Sequence, residues 1–514
     1  MIDLRRVVVA FMLVAMAGAA VAQDRPGRGG GDRPSRQEQS QQGGPDHEQG
    51  GPGVLSLLPG DAVSEHSIDT PSGKLAYTAT AGTFSLFNQS GDRSAAVFYT
   101  AYVAKTDNHA ARPLTFVFNG GPGAASAFLH LGVVGPRIAQ FGMAGHDGAD
   151  VRLVDNPDTW LAFTDLVLID PIGTGWSRPA KPDGGSAFWG VHGDASSMAK
   201  VIALYVAKNG RVSSPKFILG ESYGGFRAAK VARTVQSEQG IVISGILMLS
   251  PLLEGAFQFG GDRFALGAAM QLPSLAAAEM ERKGTFSKDA LAQAEHFALT
   301  DYLSALAGPP LQGDAAKSFY ARVAQMTGIS ADAIAESRGF IRDDYVKNLH
   351  MGDHKIVSHY DATFASDDPY PESPSARGPD PILDGVVRAY GSAFVAYARD
   401  ELGFKTDITY NLLASDISGK WDWEGNAGHG QPSAADDLRV LLALTPSFHL
   451  MVAHGYSDMV TPYAVSRYVL DHLPPVDGEE RTQLKLYRGG HMFYLAPESR
   501  KAFTADARTM YASP

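Results

Sequence analysis

The chain has 514 residues, 44% of them hydrophobic and 19% charged, with a formal net charge of −11. That length holds one large domain with an insertion, or two or three smaller ones, and the composition is that of a globular protein rather than a disordered or fibrous one. An acidic balance with no basic stripe argues against nucleic acid or an anionic membrane surface as a partner, and the absence of cysteine excludes disulfides, thiol chemistry and cysteine-ligated zinc or iron–sulfur clusters.

At the N-terminus, Arg5-Arg6 precedes the apolar run Val7 to Ala20, and Ala20-Val21-Ala22 supplies a small-x-small cleavage pattern. This predicts a signal peptide over residues 1–22 and an exported protein, periplasmic or secreted. The run is too short to span a bilayer comfortably, so no stable membrane span is expected after cleavage. Residues 23–53 are rich in Gly, Gln, Asp, Arg and Pro without apolar periodicity. They cannot bury enough surface to offset chain entropy and read as a disordered leader.

From Val54 onward, β-rich runs occur at Ala96 to Val103, Leu114 to Phe118, Leu166 to Ile169, Lys216 to Leu219 and Ile243 to Leu249. Helical stretches lie between several of them, as at Ala195 to Lys208, where Met198, Val201, Ile202 and Tyr205 recur at helical spacing. Strands alternating with helices predict an α/β protein whose mostly parallel sheet is covered on both faces. The rhythm stops after Pro251. Residues 256–440 read as a mostly helical insertion, with Ser287 to Ala307 helical and Ser366 to Pro381 a proline-rich loop. It resumes at Phe448 to Val452 and Gln483 to Tyr487, so 54–255 and 441–514 are expected to share one sheet, with 256–440 sitting on top of it as a cap.

The chemistry concentrates at strand ends. Gly220-Glu-Ser-Tyr-Gly224 follows the run Lys216 to Leu219 and precedes a helix-prone segment, the placement of a nucleophile elbow in which two glycines relieve a tight turn around Ser222. A serine hydroxyl needs a base and a group that orients the base. Hydrolases on such sheets carry these partners in the order Ser, Asp or Glu, His. Asp458 lies just beyond Phe448 to Val452 and His491 just beyond Leu484 to Tyr487, so a parallel sheet brings both to the edge that carries Ser222. Asn119-Gly-Gly-Pro-Gly123 follows the strand at 114–118. It is either a tight turn or, with Tyr223, a source of backbone donors for an oxyanion.

On Asn119-Gly-Gly-Pro-Gly123, Asp170-Pro-Ile-Gly-Thr-Gly-Trp-Ser177, Gly220-Glu-Ser-Tyr-Gly-Gly225, Gly455-Tyr-Ser-Asp458 and Gly490-His491, the chain resembles the serine carboxypeptidases of peptidase family S10. The resemblance covers about residues 75–255 and 445–500. It implies an α/β-hydrolase fold with a helical cap, no cofactor or metal, and removal of C-terminal residues from peptide substrates. It further implies Ser222 as nucleophile, His491 as base and acid, Asp458 as its orienter, Gly121 and Tyr223 as oxyanion donors, and Asn119, Gly120 and Glu221 as the holders of the substrate's terminal carboxylate. A glutamate donates to a carboxylate only when protonated, so peptide cleavage is expected to be best at mildly acidic pH. The family's second glutamate falls here on Val133, which leaves an esterase or acyltransferase with the same triad as the alternative. A catalytically silent binding protein on a hydrolase scaffold is a third reading.

Other candidates carry bland readings beside the sharp ones. His350, Asp353 and His354 have near-ligand spacing, but Gly352 interrupts any helix that would aim them together, and a solvated loop is the alternative. Asn88-Gln-Ser90 matches a glycosylation sequon that also arises by chance. Trp176 and Tyr223 read equally as substrate-site lining or core. Gly173 and Gly175 lack the Lys-Ser/Thr of a phosphate-binding loop.

Overall fold

The structure, a computed structural model, describes residues 53–142, 147–423, 432–475 and 481–512. The expected signal peptide, and the expected leader up to residue 52, lie outside these residues. Strands β1 (Ala62–Thr70), β2 (Gly73–Phe87) and β3 (Arg93–Ala104) run antiparallel as a meander. β4 (Leu114–Phe118) follows, and then a separate hairpin of β5 (Arg137–Phe141) and β6 (Asp147–Asp155). Next come β7 (Asp165–Ile169), the short β8 (Arg178–Pro179), β9 (Lys216–Glu221) and β10 (Gly245–Leu249). A small hairpin, β11 (Lys355–Val357) with β12 (Ala365–Asp367), precedes β13 (His449–Gly455) and β14 (Thr482–Tyr487).

The main sheet has ten strands in the order β1-β2-β3-β7-β4-β9-β10-β13-β14, with β8 paired to β3. From β7 to β14 every neighbouring pair is parallel. All residues of β4, β7, β9 and β10 are buried, as their unbroken apolar runs require of strands covered on both faces. Side chains alternate between two cores. Ile218, Ile246 and Val452 join the helices Val191–Lys208 and Tyr223–Gln239 on one face. Phe217, Leu219 and Met451 join Phe503 and Met510 of the helix Pro497–Ala512 on the other.

Every strand expected from an apolar run overlaps an observed one, with ends displaced by up to three residues. The runs did not foretell β1, β2, β5, β6 or the short β8, β11 and β12. β1 alternates between exposed and half-buried positions and carries Glu65, His66 and Asp69, so it lacks the continuous hydrophobicity of a central strand and owes its place to pairing with β2.

The stretch 256–440 packs in two ways. Residues from Ala268 to Ala362, including Leu272, Phe297, Tyr302 and Tyr345, form a cluster of their own that reaches the sheet domain through Met459. Beyond Ile382, Tyr390, Phe394 and Tyr397 enter the core on one face of the sheet, and Trp421, Leu438 and Leu441 the core on the other. Val54–Pro514 is accordingly one compact unit. Among the described residues no helix is long and apolar enough to cross a membrane.

Two glycines govern how tightly β9 turns into its helix. A Cβ added at Gly220 would lie 1.9 Å from the Gly224 carbonyl oxygen, and one at Gly224 would lie 2.7 Å from the Phe118 carbonyl. Both obstacles are backbone. Gly220→Ala is therefore expected to destabilise the protein by more than about 2 kcal/mol, read as a lowered urea midpoint. A wild-type midpoint would mean that the turn can open freely.

Candidate active site

Ser222 sits between β9 and the helix Tyr223–Gln239 with φ 60° and ψ −124°. A non-glycine residue persists in that region only when its surroundings over-determine it. Here its N–H donates to the Leu249 carbonyl (2.9 Å), and its carbonyl accepts from the N–H of Gly225 (3.0 Å) and of Leu252 (3.1 Å). The side chain is left partly exposed at the sheet's C-terminal edge.

Asp458 and His491 reach that edge from the loops after β13 and β14. His491 Nδ1 lies 2.9 Å from Asp458 Oδ2, which leaves Nε2 as the nitrogen able to exchange a proton. Asp458 Oδ1 accepts the N–H groups of Val460 (2.8 Å) and Thr461 (3.0 Å), and the Thr461 hydroxyl reaches Oδ2 (2.8 Å). Burial works to raise the Asp458 carboxyl. The charge of His491 and the hydrogen bonds around it outweigh that and hold it below the usual carboxylate range. Burial works to lower the His491 imidazole, but Asp458, with Glu221 and Asp380 behind it, leaves it raised.

Among the described residues the Ser222 hydroxyl makes no hydrogen bond, to His491 or to any other group. Ser250 links the two loops instead. Its hydroxyl donates to the His491 carbonyl (2.9 Å) and its own carbonyl accepts from the Thr461 hydroxyl (2.8 Å). The catalytic hydrogen bond of such pairs commonly tightens only when substrate is bound.

The loop after β4 lies directly against the elbow. A Cβ on Gly120 would come within 2.6 Å of both the Glu221 carbonyl and the Tyr223 nitrogen, so no larger residue can stand there. Gly121 has φ 98°, a conformation that glycine adopts freely. The N–H groups of Gly121 and Tyr223 have no hydrogen-bond partner among the described residues. The loop is clamped by Arg227, one turn into the helix. Its guanidinium donates to the Asn119 carbonyl and, from Nε, to Asp194 Oδ2 at 2.6 Å. Both members of this ion pair are almost wholly buried.

Glu221 is buried beside the elbow. Asn119 Nδ2 donates to Oε2 (2.5 Å), and the Tyr494 hydroxyl lies 2.9 Å from Oε1 and 3.1 Å from Oε2. Desolvation pushes the Glu221 carboxyl up to about 7, against the lowering effects of His491 and these two donors. The site thus holds one carboxyl that ionises readily and one poised near neutrality.

The remaining candidates separate clearly. Val133 is fully buried in the sheet core. Trp176 is core as well, its indole donating to the Ile408 carbonyl (2.8 Å) among Phe98, Phe404 and Tyr410. The Tyr223 ring is buried against the edges of Trp421 and Trp423. His350 Nδ1 is 3.7 Å from Asp353 on the surface, and among the described residues no group of three or more His, Asp or Glu could hold a metal. Asn88 closes the β2–β3 turn by accepting from the N–H groups of Ser90 and Asp92.

Sequence reasoning missed Arg227, Asp194, Thr461, Tyr494 and Tyr360, whose carbonyl accepts the His491 N–H (2.6 Å) and whose ring meets the imidazole edge-on. Only Arg227 left a signal, a charge within the first turns of a helix otherwise packed with small and apolar residues. Asp194 lies in the first turn of the helix Val191–Lys208, and Thr461, Tyr494 and Tyr360 come from connecting segments whose approach no local pattern encodes.

The parallel core and the three strand-end groups define an α/β-hydrolase. The sequence profile of the family described as serine carboxypeptidase, Peptidase S10, matches residues 78–487, and the chain belongs to that family. No curated protein matches it. Among solved structures, it is similar to a proline iminopeptidase of Mycobacterium smegmatis, with 14% identity over 84% of this chain and 98% of that one and a TM-score of 0.34. A peroxisomal alpha-beta-hydrolase of Saccharomyces cerevisiae shows 12% identity over 88% and 90%, with a TM-score of 0.37. A thermophilic esterase of Thermogutta terrifontis shows 12% over 87% and 100%, with a TM-score of 0.32.

Removing one member of a buried pair strands the other, so Arg227→Met is expected to destabilise by about 3–5 kcal/mol. Arg227→Met with Asp194→Leu should recover much of that in urea unfolding, while activity stays low because the Asn119 loop has lost its clamp. Equal stability of the single and double variants would contradict the pairing.

Proposed function

We propose that this hydrolase is a serine-type carboxypeptidase that releases residues from the C-termini of peptides. The observation that carries the reading is Glu221, a buried carboxyl raised to about 7 and held by Asn119 next to Ser222. Below that pH it is neutral and donates to a substrate's terminal carboxylate; above it, two negative charges face each other. Asn119 and Gly120 complete the carboxylate-holding group.

The chemistry follows from the remaining groups. Ser222 Oγ attacks the scissile carbonyl carbon as His491 Nε2 takes its proton, with Asp458 orienting the imidazole and stabilising its charge. The tetrahedral oxyanion rests on the N–H groups of Gly121 and Tyr223. His491 returns the proton to the departing amine as the C–N bond breaks. Water, deprotonated by His491, then cleaves the Ser222 ester and frees the shortened peptide. No metal or cofactor takes part in this sequence.

The esterase or acyltransferase reading draws on Val133, which brings no second carboxyl. Comparing a peptide with its C-terminal amide separates the two. The carboxypeptidase should favour the free acid by roughly tenfold to a hundredfold in kcat/KM, the worth of one or two hydrogen bonds to a charged group. Equal turnover would favour the esterase. Ser222→Ala should lower kcat on the order of 10^6-fold, and a fluorophosphonate should label Ser222 in the wild type.

The raised Glu221 carboxyl has a signed consequence. The protonated form is required and is lost as pH rises through about 7, so kcat/KM for free-acid peptides should fall on the alkaline side. Glu221→Gln, which cannot ionise, should flatten that limb. An alkaline limb unchanged in the variant would remove Glu221 from carboxylate recognition.

We also infer export, on Arg5-Arg6, the apolar run to Ala20 and Ala20-Val21-Ala22. Mass spectrometry of the protein from cells should give Gln23 as the first residue, and a retained residue 1 would refute it.

A further inference from the structure

Tyr494 has no part in the triad, yet it is fully buried and its hydroxyl bridges both oxygens of Glu221, at 2.9 and 3.1 Å. Its ring occupies space that one other position leaves open. A Cβ added at Gly132 would lie 2.7 Å from Tyr494 Cε2 and 2.8 Å from the Tyr390 hydroxyl. The neighbouring Val133 side chain turns into the apolar core. The segment 130–134 therefore brings no polar group to Glu221, and a phenol from the turn Phe493–Leu495 fills the place.

The bond pattern is selective. Asn119 donates to Oε2 and the Tyr494 hydroxyl lies nearest to Oε1, so each oxygen of the ionised carboxylate has its own donor. Because Tyr494 is three residues beyond His491, it also ties the carboxyl's position to the loop that bears the imidazole. The charged and titratable groups that act on Glu221 are His491 and Asp458 from the strand-end loops, Tyr494, Tyr390 from the helix Ala389–Asp400, and Tyr360 from the loop after β11. Of these, only Tyr494 is hydrogen-bonded to it among the described residues.

Building on the carboxypeptidase reading, we propose that Tyr494 is a positioning residue: its hydroxyl orients the Glu221 carboxyl toward the substrate's terminal carboxylate and sets the pH at which that recognition ends. A donor to the ionised form stabilises it, so deleting the hydroxyl keeps Glu221 protonated to higher pH while loosening its orientation.

The test is kcat/KM against pH for Tyr494→Phe, with a free-acid peptide and its C-terminal amide. The variant should move the alkaline limb upward on the order of one pH unit, lower free-acid turnover at pH 6 about tenfold, and leave the amide unchanged. In a Glu221→Gln background the same substitution should change neither, because the two act as a unit. Gly132→Ala, which forces the ring aside without deleting the hydroxyl, should reproduce the loss and decides the matter if Tyr494→Phe fails to fold. An unshifted limb with an unchanged acid-over-amide ratio in a folded variant overturns the role of Tyr494. A wild type with no preference for the free acid overturns instead the reading on which it rests.

Discussion

Three backbone turns meet with nothing between them: the end of β4, the elbow at Ser222, and the first residues of the helix behind it. Gly120, Gly220 and Gly224 make this approach possible, since a Cβ at any of them would run into main-chain atoms of another turn. Contact of that kind cannot relax by rotating a side chain. It holds the N–H groups of Gly121 and Tyr223, unpartnered among the described residues, and the Glu221 carboxyl close to Ser222. Arg227 closes the arrangement, because its guanidinium joins the helix that follows Ser222 to the Asn119 carbonyl and to Asp194 in the helix alongside. A buried ion pair stabilises little by itself. Its value here lies in geometry, because the same guanidinium that pairs with Asp194 also holds the Asn119 carbonyl.

The same compactness divides the labour between two acids. Asp458 and Glu221 are both withdrawn from water, and desolvation alone would keep both neutral. Asp458 escapes that outcome because the imidazoles of His491 and His454 face it and two backbone N–H groups donate to it. Glu221 has an amide and a phenol, enough to hold it in place but too few to overcome burial. Two carboxyls that ionise at well-separated pH within one small site thus follow from the number and charge of the groups around each, the usual way in which one fold supports both acid and base chemistry near neutral pH.

Much of this was readable from the chain. Central strands such as β4 and β10 announce themselves because a strand covered on both faces must be apolar throughout, and the elbow announces itself because so tight a turn admits only glycine at its flanks. Ser222, Asp458 and His491 could be paired because chain order and strand ends suffice to bring them to one edge. β1 and β6 were not readable. Their alternating polar surfaces resemble loops until a partner strand supplies hydrogen bonds. Nor were the two packing modes of 256–440, since a helix facing the sheet and a helix facing other helices present the same periodic stripe.

Local chemistry, then, was written along the chain: which residues can turn sharply, which can be nucleophile, base or acid, and which runs must be hidden. Long-range contact was not. Arg227 on the Asn119 carbonyl, Tyr360 on His491 and Tyr494 on Glu221 all depend on distant segments meeting at the sheet edge, and the protonation of Glu221 depends on how completely those segments exclude water. Desolvation and hydrogen-bond count are properties of the assembled site, summed over segments that are hundreds of residues apart, and no single stretch of sequence contains them.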